Sequence, residues 1–210
     1  MKSIYNFLFC LLISTSISAQ GFEGTIEFKK QTEVDTSNYM YYVKGSMIRV
    51  DEVGAKYENT EGSFLIDTKA EKITAVSHQR KSYFDQPVKK YAGTATNFEI
   101  IKTKNTKVLH NYKCTEYIVK NKAENTQVAY WMAPGGFGFF SSFMKVLNRK
   151  EKISQYYLRL TGTDGMFPFL AIESSLSGTE IGRLEVTKIQ KKVLDDGKFQ
   201  IPTGYKKSID

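Results

Sequence analysis

The chain has 210 residues, of which 30 are basic and 22 acidic, and its formal net charge is +8. This length suits one domain with a sizeable core. The basic residues are dispersed in pairs such as Lys89-Lys90 and Lys191-Lys192. Because no run is long enough to form a nucleic-acid stripe, we predict no nucleic-acid partner. Anionic lipid headgroups or envelope polysaccharide fit the positive charge, and solvated strand faces explain it equally well.

Residues 1–19 are predicted to be a secretory signal peptide. Lys2 supplies the positive n-region, residues 4–13 form a short apolar core, and Ala19 is the small residue before the cleavage site. About ten apolar residues are too few to span a bilayer, which takes ~20 in a helix, so we expect no transmembrane segment. Residues 20–210 are predicted to be a single domain in the periplasm or the medium. This domain has one cysteine, Cys114, so it must be stabilised by packing.

The two-residue period of β-strands dominates the first half of this domain. Polar and apolar residues alternate over 22–28, and strand patterns also cover residues 39–43, 47–51, 62–67, 72–76 and 81–85. Gly45 favours a turn or bulge, and residues 68–71 favour a hairpin turn. We therefore expect neighbouring antiparallel strands.

The second half continues this pattern on both sides of one helical segment. Strands are predicted over residues 97–103, 108–121 and 126–132, with a turn at Asn105, and then over 167–176, 181–193 and 198–202. About ten strands separated by roughly 8–15 residues favour a meander over alternating βα units. The predicted fold is mainly β: a single curved antiparallel sheet, or half-barrel, with a helical lid segment near 137–150.

The segment 133–147, APGGFGFFSSFMKVL, is the one strongly apolar helical stretch. Five of its residues fall on one helical stripe: Phe137, Phe140, Phe143, Met144 and Leu147. A helix across the open face of a curved sheet would bury this stripe and close an apolar interior. Phe139 and Val146 lie off the stripe, which favours a second apolar contact with a ligand, a partner or a bilayer surface. Simple core packing is the alternative interpretation.

These patterns predict a ligand-binding lid and mouth, but no catalytic, cofactor or metal site. The predicted ligand-binding residues are Trp131, Met132, Phe137, Phe139, Phe140, Phe143, Met144, Leu147, Met166, Phe167 and Phe169. His78 and His110 lack metal-ligand spacing, and Gly62-Ser63 lacks the second glycine of a hydrolase elbow. Asp51-Glu52 is a carboxylate pair at a strand end, where such residues are ordinarily turn formers.

Several strand and turn segments resemble a known group of proteins. They are Phe22-Glu23-Gly24-Thr25-Ile26, residues 42–50, residues 111–117 and Phe199-Gln200-Ile201-Pro202-Thr203-Gly204-Tyr205. Together they resemble a family of exported Bacteroidota proteins of unknown function, which is similar in turn to LolA-like lipoprotein carriers. The resemblance implies a half-open antiparallel barrel with a helical lid that binds or ferries acyl chains or other hydrophobic molecules. No acyl-receiving residue is recognisable, so lipoprotein transport itself does not carry over.

The leading functional prediction is a non-enzymatic exported binding protein, or carrier, for a lipid or other hydrophobic ligand in the cell envelope. The alternative is an envelope interaction module that binds a protein partner or polysaccharide through exposed aromatic residues and lysines. An enzyme that uses Asp51 ranks last.

Overall fold

One large curved sheet dominates the protein, and the predicted mainly β fold is confirmed. The computed structural model describes residues 21–53, 60–93 and 97–208, so the predicted signal peptide lies outside the described residues. The strands are β1 Gly24–Thr32, β2 Thr36–Lys44, β3 Met47–Val53, β4 Thr60–Asp67, β5 Lys72–Ser77, β6 Ser82–Gln86, β7 Phe98–Leu109, β8 Tyr112–Asn121, β9 Thr126–Pro134, β10 Met166–Ser175, β11 Glu180–Lys191 and β12 Lys206–Lys207.

The first strand lies in the middle of this sheet. The spatial order is β12-β6-β5-β4-β3-β2-β1-β11-β10-β9-β8-β7, so β1 joins two antiparallel meanders. Gly24 opens β1 at φ +150°, and a Cβ there would lie 2.0 Å from the Gln190 carbonyl oxygen of β11. Only glycine fits this close approach of the two strands.

Two helices are inserted between β9 and β10: α1 Phe139–Leu147 and α2 Lys152–Tyr157. We call residues 139–157 the helical insert. The predicted lid segment therefore contains α1, which ends at Asn148 in the left-handed conformation (φ 40°). The second helix was not predicted, because six residues are too few to show a helical period.

The core lies between the insert and one face of the sheet. Side chains alternate along each strand, and Ile26, Val43, Ile48 and Ile66 are fully buried in one cluster with Phe143 of α1. A C-terminal segment, residues 194–205, covers part of the opposite face, which we call the outer face. There the Lys44 ammonium donates to the Leu194 carbonyl oxygen at 2.8 Å, and Arg49 donates to the Lys198 carbonyl oxygen at 3.3 Å.

Two local predictions were wrong. Asn105 lies within β7 at a register shift, and the chain turns instead at His110 and Asn111, both at positive φ (49° and 66°). Residues 198–202 do not form a strand, because Asp196–Phe199 is a 3₁₀ helix whose start is capped by the Asp195 side chain, 2.7 Å from the Gly197 amide. The last strand, β12, follows it and pairs parallel to β6.

Candidate functional site

A cleft of about 510 Å³ opens between the sheet and the C-terminal end of α1. We call it the lateral cleft. Its aromatic lining is Phe28, Tyr39, Tyr41 and Phe64 from β1, β2 and β4. Its aliphatic lining includes Met144 and Leu147 of α1, Ile153 of α2, and Val50, Ile181 and Leu184 from the sheet. This volume is typical of pockets that hold small ligands.

A smaller inner cavity of about 50 Å³ adjoins the lateral cleft. The two share lining residues, among them Phe28, Tyr41 and Met144, and the inner cavity adds Tyr130, Phe140, Phe167, Ala171 and Val186. No described residue that lines the inner cavity is charged. The cleft therefore becomes more apolar toward the core.

Charged side chains surround the outer part of the lateral cleft: Lys30, Glu33, Glu52, Arg149, Glu151 and Glu173. Lys30 Nζ lies 3.1 Å from Glu151 Oε1, and the Arg149 guanidinium carbon lies 5.2 Å from the centroid of the Phe64 ring. Burial raises the pKa of Glu173 above its ordinary value, although nearby Lys152 and Lys30 oppose this shift. The cleft thus combines an apolar floor with a polar rim.

The residues predicted from sequence divide among several places. Met144 and Leu147 line the lateral cleft, whereas Phe140, Met144 and Phe167 line the inner cavity. Met132, Phe137, Phe143 and Phe169 are fully buried core residues. The Tyr117 hydroxyl lies 3.9 Å from Met166 Sδ. Trp131 is partly buried against the core, and Lys107 Nζ lies 3.7 Å from its ring centroid.

The chain itself covers part of the second apolar side of α1. Val146 is 5% exposed and lies beside Ile73 of β5 and Pro87. The Phe139 ring packs against the rings of Phe22 and Phe167, at centroid distances of 6.2 and 6.3 Å. Phe139 also borders a separate opening of about 500 Å³ lined mainly by glycines. Val146 therefore needs no ligand to bury it, whereas Phe139 stays partly exposed beside this opening.

Most of the cleft lining was missed by the sequence prediction. Phe28, Tyr41 and Phe64 were recognised only as strand residues, and Glu173 and Leu184 belong to the late hairpin. The two-residue period of these strands indicates which residues share a face. It does not indicate which face points inward, because a one-residue slip in register would exchange the two faces.

The outer face holds a buried polar network that the sequence also did not predict. The Arg49 Nε donates to Asp51 Oδ1 at 2.6 Å, and the Ser63 hydroxyl donates to the same oxygen at 2.7 Å. His78 Nε2 lies 2.7 Å from Ser63 Oγ, and its Nδ1 lies 3.0 Å from the Tyr205 hydroxyl. Because Ser63 donates its proton to Asp51, the neutral form of His78 fits this geometry by donating from Nε2 to Ser63 Oγ and accepting at Nδ1 from the Tyr205 hydroxyl.

This network does not have the arrangement of a hydrolytic triad. In a triad the histidine lies between the serine and the carboxylate, whereas here Ser63 lies between Asp51 and His78. Ser63 is 2% exposed. Glu52 lines the cleft on the other face, so the two adjacent carboxylates do not form a pair.

Other chemical features are sparse in the described ranges. No cluster of three histidine, cysteine or acidic residues there is suited to hold a metal ion. The Cys114 thiol is buried, and burial raises its pKa to about 11, which keeps it protonated. Neither helix of the insert is long enough to cross a bilayer, and no membrane-spanning helix occurs elsewhere in the described residues.

Two solved structures, of MucB and of PNGF-II, share the fold of this chain at very low sequence identity. MucB in its complex with MucA from Pseudomonas aeruginosa is 8% identical (TM-score 0.51), with 87% of this chain and 56% of that chain covered. PNGF-II is 10% identical (TM-score 0.50), with 90% and 31% covered. A putative outer membrane lipoprotein-sorting protein domain from Vibrio parahaemolyticus is 8% identical (TM-score 0.32), with 84% and 87% covered. The chain thus spans little more than half of MucB and about a third of PNGF-II.

Sequence comparison gives a family assignment. No curated protein sequence matches significantly. A family model described as "Domain of unknown function (DUF4412)" matches residues 22–205, nearly all of the chain after the predicted signal peptide. The chain belongs to this family.

Proposed function

We propose that the protein is a non-enzymatic binding protein or carrier for a lipid-like amphiphile, held in the lateral cleft. The observation that carries this proposal is the polarity gradient of the cleft: a charged rim leads to the uncharged inner cavity beside Phe140 and Phe167. An amphiphile would place its head at the rim and its tail inward. Each buried methylene contributes about 0.8 kcal/mol, offset by the cost of ordering the chain.

In this function, the ligand-binding residues and the compartment predicted from the sequence have the following roles. Met144, Leu147, Phe140 and Phe167 would contact the ligand directly, and the fully buried predicted residues would support them from the core. Residues 1–19 would direct export as a signal peptide, and residues 20–210 would act as one domain in the periplasm or the medium.

The test is native mass spectrometry of protein purified from its own cell envelope, followed by organic extraction. A discrete added mass that passes into the organic phase is expected. The variant Leu184→Trp should fill the cleft, because Leu184 lines both the cleft and the inner cavity. Val108→Trp is the matched control, since Val108 is 69% exposed on β7. A bound mass that Leu184→Trp leaves unchanged would contradict the cleft as its site.

A second candidate function is binding of a protein partner in the cell envelope. MucB, which has the same fold, is described in complex with MucA. The edge strand β7 presents Ile100 (43% exposed) and Val108 to solvent. We rank this candidate second, because β7 also carries Lys102, Lys104 and a register shift, which are devices that discourage strand addition. Co-purification of a protein instead of an extractable amphiphile would favour it.

A further inference from the structure

The lateral cleft has the opposite charge balance to the protein as a whole. Basic residues outnumber acidic ones 30 to 22 in the chain. Four acidic residues line the cleft, Glu33, Glu52, Glu151 and Glu173, against two basic ones, Lys30 and Arg149. Because the protein as a whole carries a net positive charge, the excess of acidic residues is specific to this cleft.

The cations of the cleft form a salt bridge with only one of these four acids within the described residues, Glu151. Lys30 is paired with Glu151 at 3.1 Å, and Arg149 lies over the Phe64 ring. Glu33, Glu52 and Glu173 form no salt bridge within the described part of the chain. Glu52 accepts only a long hydrogen bond, 3.5 Å, from the Tyr39 hydroxyl. Three carboxylates at the cleft are thus available to a ligand.

Aromatic rings line the same cleft as these carboxylates. Phe28 stacks on Tyr39 at a centroid distance of 5.2 Å and meets Tyr41 edge-on at 4.4 Å. Aromatic faces attract ammonium groups, and most strongly where water is partly excluded. The Arg149 guanidinium over Phe64 shows that one ring of this cleft already accommodates a cation.

We propose that the amphiphile bound in the lateral cleft carries an ammonium group in its head, recognised by Glu52, Glu173 and the neighbouring aromatic rings. This inference rests on the proposed function and adds the ligand's charge. The tail would lie along the apolar floor of the lateral cleft with its end at the uncharged inner cavity, which leaves the head among the carboxylates of the rim.

The test compares three probes that have the same alkyl chain: dodecylammonium, dodecanol and dodecanoate. Binding is measured by calorimetry below the micelle concentration, on the full mature protein. We expect dodecylammonium to bind roughly tenfold more tightly than dodecanol, the scale of one charge-assisted hydrogen bond, and dodecanoate to bind most weakly. The ammonium preference should shrink in high salt, because ions screen partly exposed charges.

Single substitutions test whether the carboxylates of the rim cause the preference for dodecylammonium over dodecanol. Glu173→Gln and Glu52→Gln should each lower dodecylammonium affinity severalfold and leave dodecanol affinity unchanged. Glu99→Gln is the control, because Glu99 lies on β7, 3.7 Å from Lys122 and away from the cleft. Thermal unfolding of each variant verifies that it is folded.

The outcomes separate the two proposals. Equal affinity for all three probes would overturn the ammonium head and support an apolar binding site. Tightest binding of dodecanoate would overturn it in favour of an anionic head recognised by Arg149. Failure of all three probes to bind would overturn both proposals. If Glu173→Gln lowered the affinities for dodecylammonium and dodecanol equally, the assignment of the rim residues as the ammonium site would be overturned.

Discussion

Lys30 on β1 and Glu151, the residue before α2, form a salt bridge of 3.1 Å that connects the sheet to the helical insert across the lateral cleft. Both side chains line the cleft. Other polar contacts also hold the insert: Tyr130 donates to the Ile153 carbonyl oxygen at 2.6 Å, Asn148 donates to the Lys89 carbonyl oxygen at 2.9 Å, and the Tyr156 hydroxyl lies 2.7 Å from Thr126 Oγ1.

Breaking this salt bridge should loosen the insert without unfolding the protein. Lys30→Ala and Glu151→Ala should each change stability by less than about 1 kcal/mol, because both side chains are partly exposed. Amide hydrogen exchange over residues 151–157 should accelerate severalfold. The double variant should show little further acceleration, since the second change has no partner left to remove. Additive acceleration would mean that the two side chains act independently.

Two residues of α1 should separate a core role from a cleft role. Phe143 is fully buried and its ring centroid lies 5.1 Å from that of Tyr41, so Phe143→Ala should cost about 3–5 kcal/mol of stability. Leu147 is partly exposed and lines the cleft. Leu147→Ala should cost roughly 1 kcal/mol by its smaller buried area while weakening dodecanol binding. Chemical denaturation and calorimetry measure the two effects, and equal destabilisation by both variants would contradict this division.

Neutralising Asp51 should destabilise the protein far more than neutralising the adjacent Glu52. Asp51 is 3% exposed and accepts hydrogen bonds from Arg49 and Ser63, so Asp51→Asn should cost about 3 kcal/mol, as when one partner of a buried ion pair is removed. Glu52→Gln on the cleft side should change stability by less than about 1 kcal/mol. Urea denaturation of both variants tests this prediction. A stable Asp51→Asn protein would contradict a structural role for the network.

His78 should make stability depend on pH. Burial, and then the charge of Arg49, lower its pKa below the ordinary 6.5. The unfolded chain therefore takes up this proton at a higher pH than the folded protein, so the contribution of neutral His78 is present above pH 6.5 and is lost as the pH falls toward its folded pKa. As the pH is lowered from 7 to 5, the melting temperature of the His78→Asn variant should fall less steeply than that of the parent protein. If the variant and the parent showed the same dependence of melting temperature on pH, His78 would not be the cause of that dependence.

Much of the sheet could be predicted because alternation is a local property. The strands around Ile26, Val43 and Ile66 were expected from their two-residue period, and α1 from its apolar stripe. The lateral cleft could not be predicted in the same way. Its lining joins Phe28, Phe64, Met144 and Glu173 from distant parts of the chain, and their meeting depends on register and sheet curvature.

The outer-face network was missed for a related reason. Asp51, Ser63 and His78 lie on successive strands and a turn, with no motif spacing in the sequence. Asp51 pairs directly with Ser63 across β3 and β4, and Gly62 pairs with Ser77 across β4 and β5, so the network follows from the register of three strands. The Tyr205 contact requires the return of the C-terminal segment as well.

The central place of β1 also sets the order in which the protein can be assembled. Gly24 pairs with Lys191 on β11, so the two meanders can join only after almost the entire chain has emerged. Closing such a long loop is entropically costly and slows folding. Until β11 arrives, one edge of β1 offers unpaired backbone groups to other chains. We therefore expect the first meander to be an aggregation-prone intermediate that benefits from a holding chaperone before folding is complete.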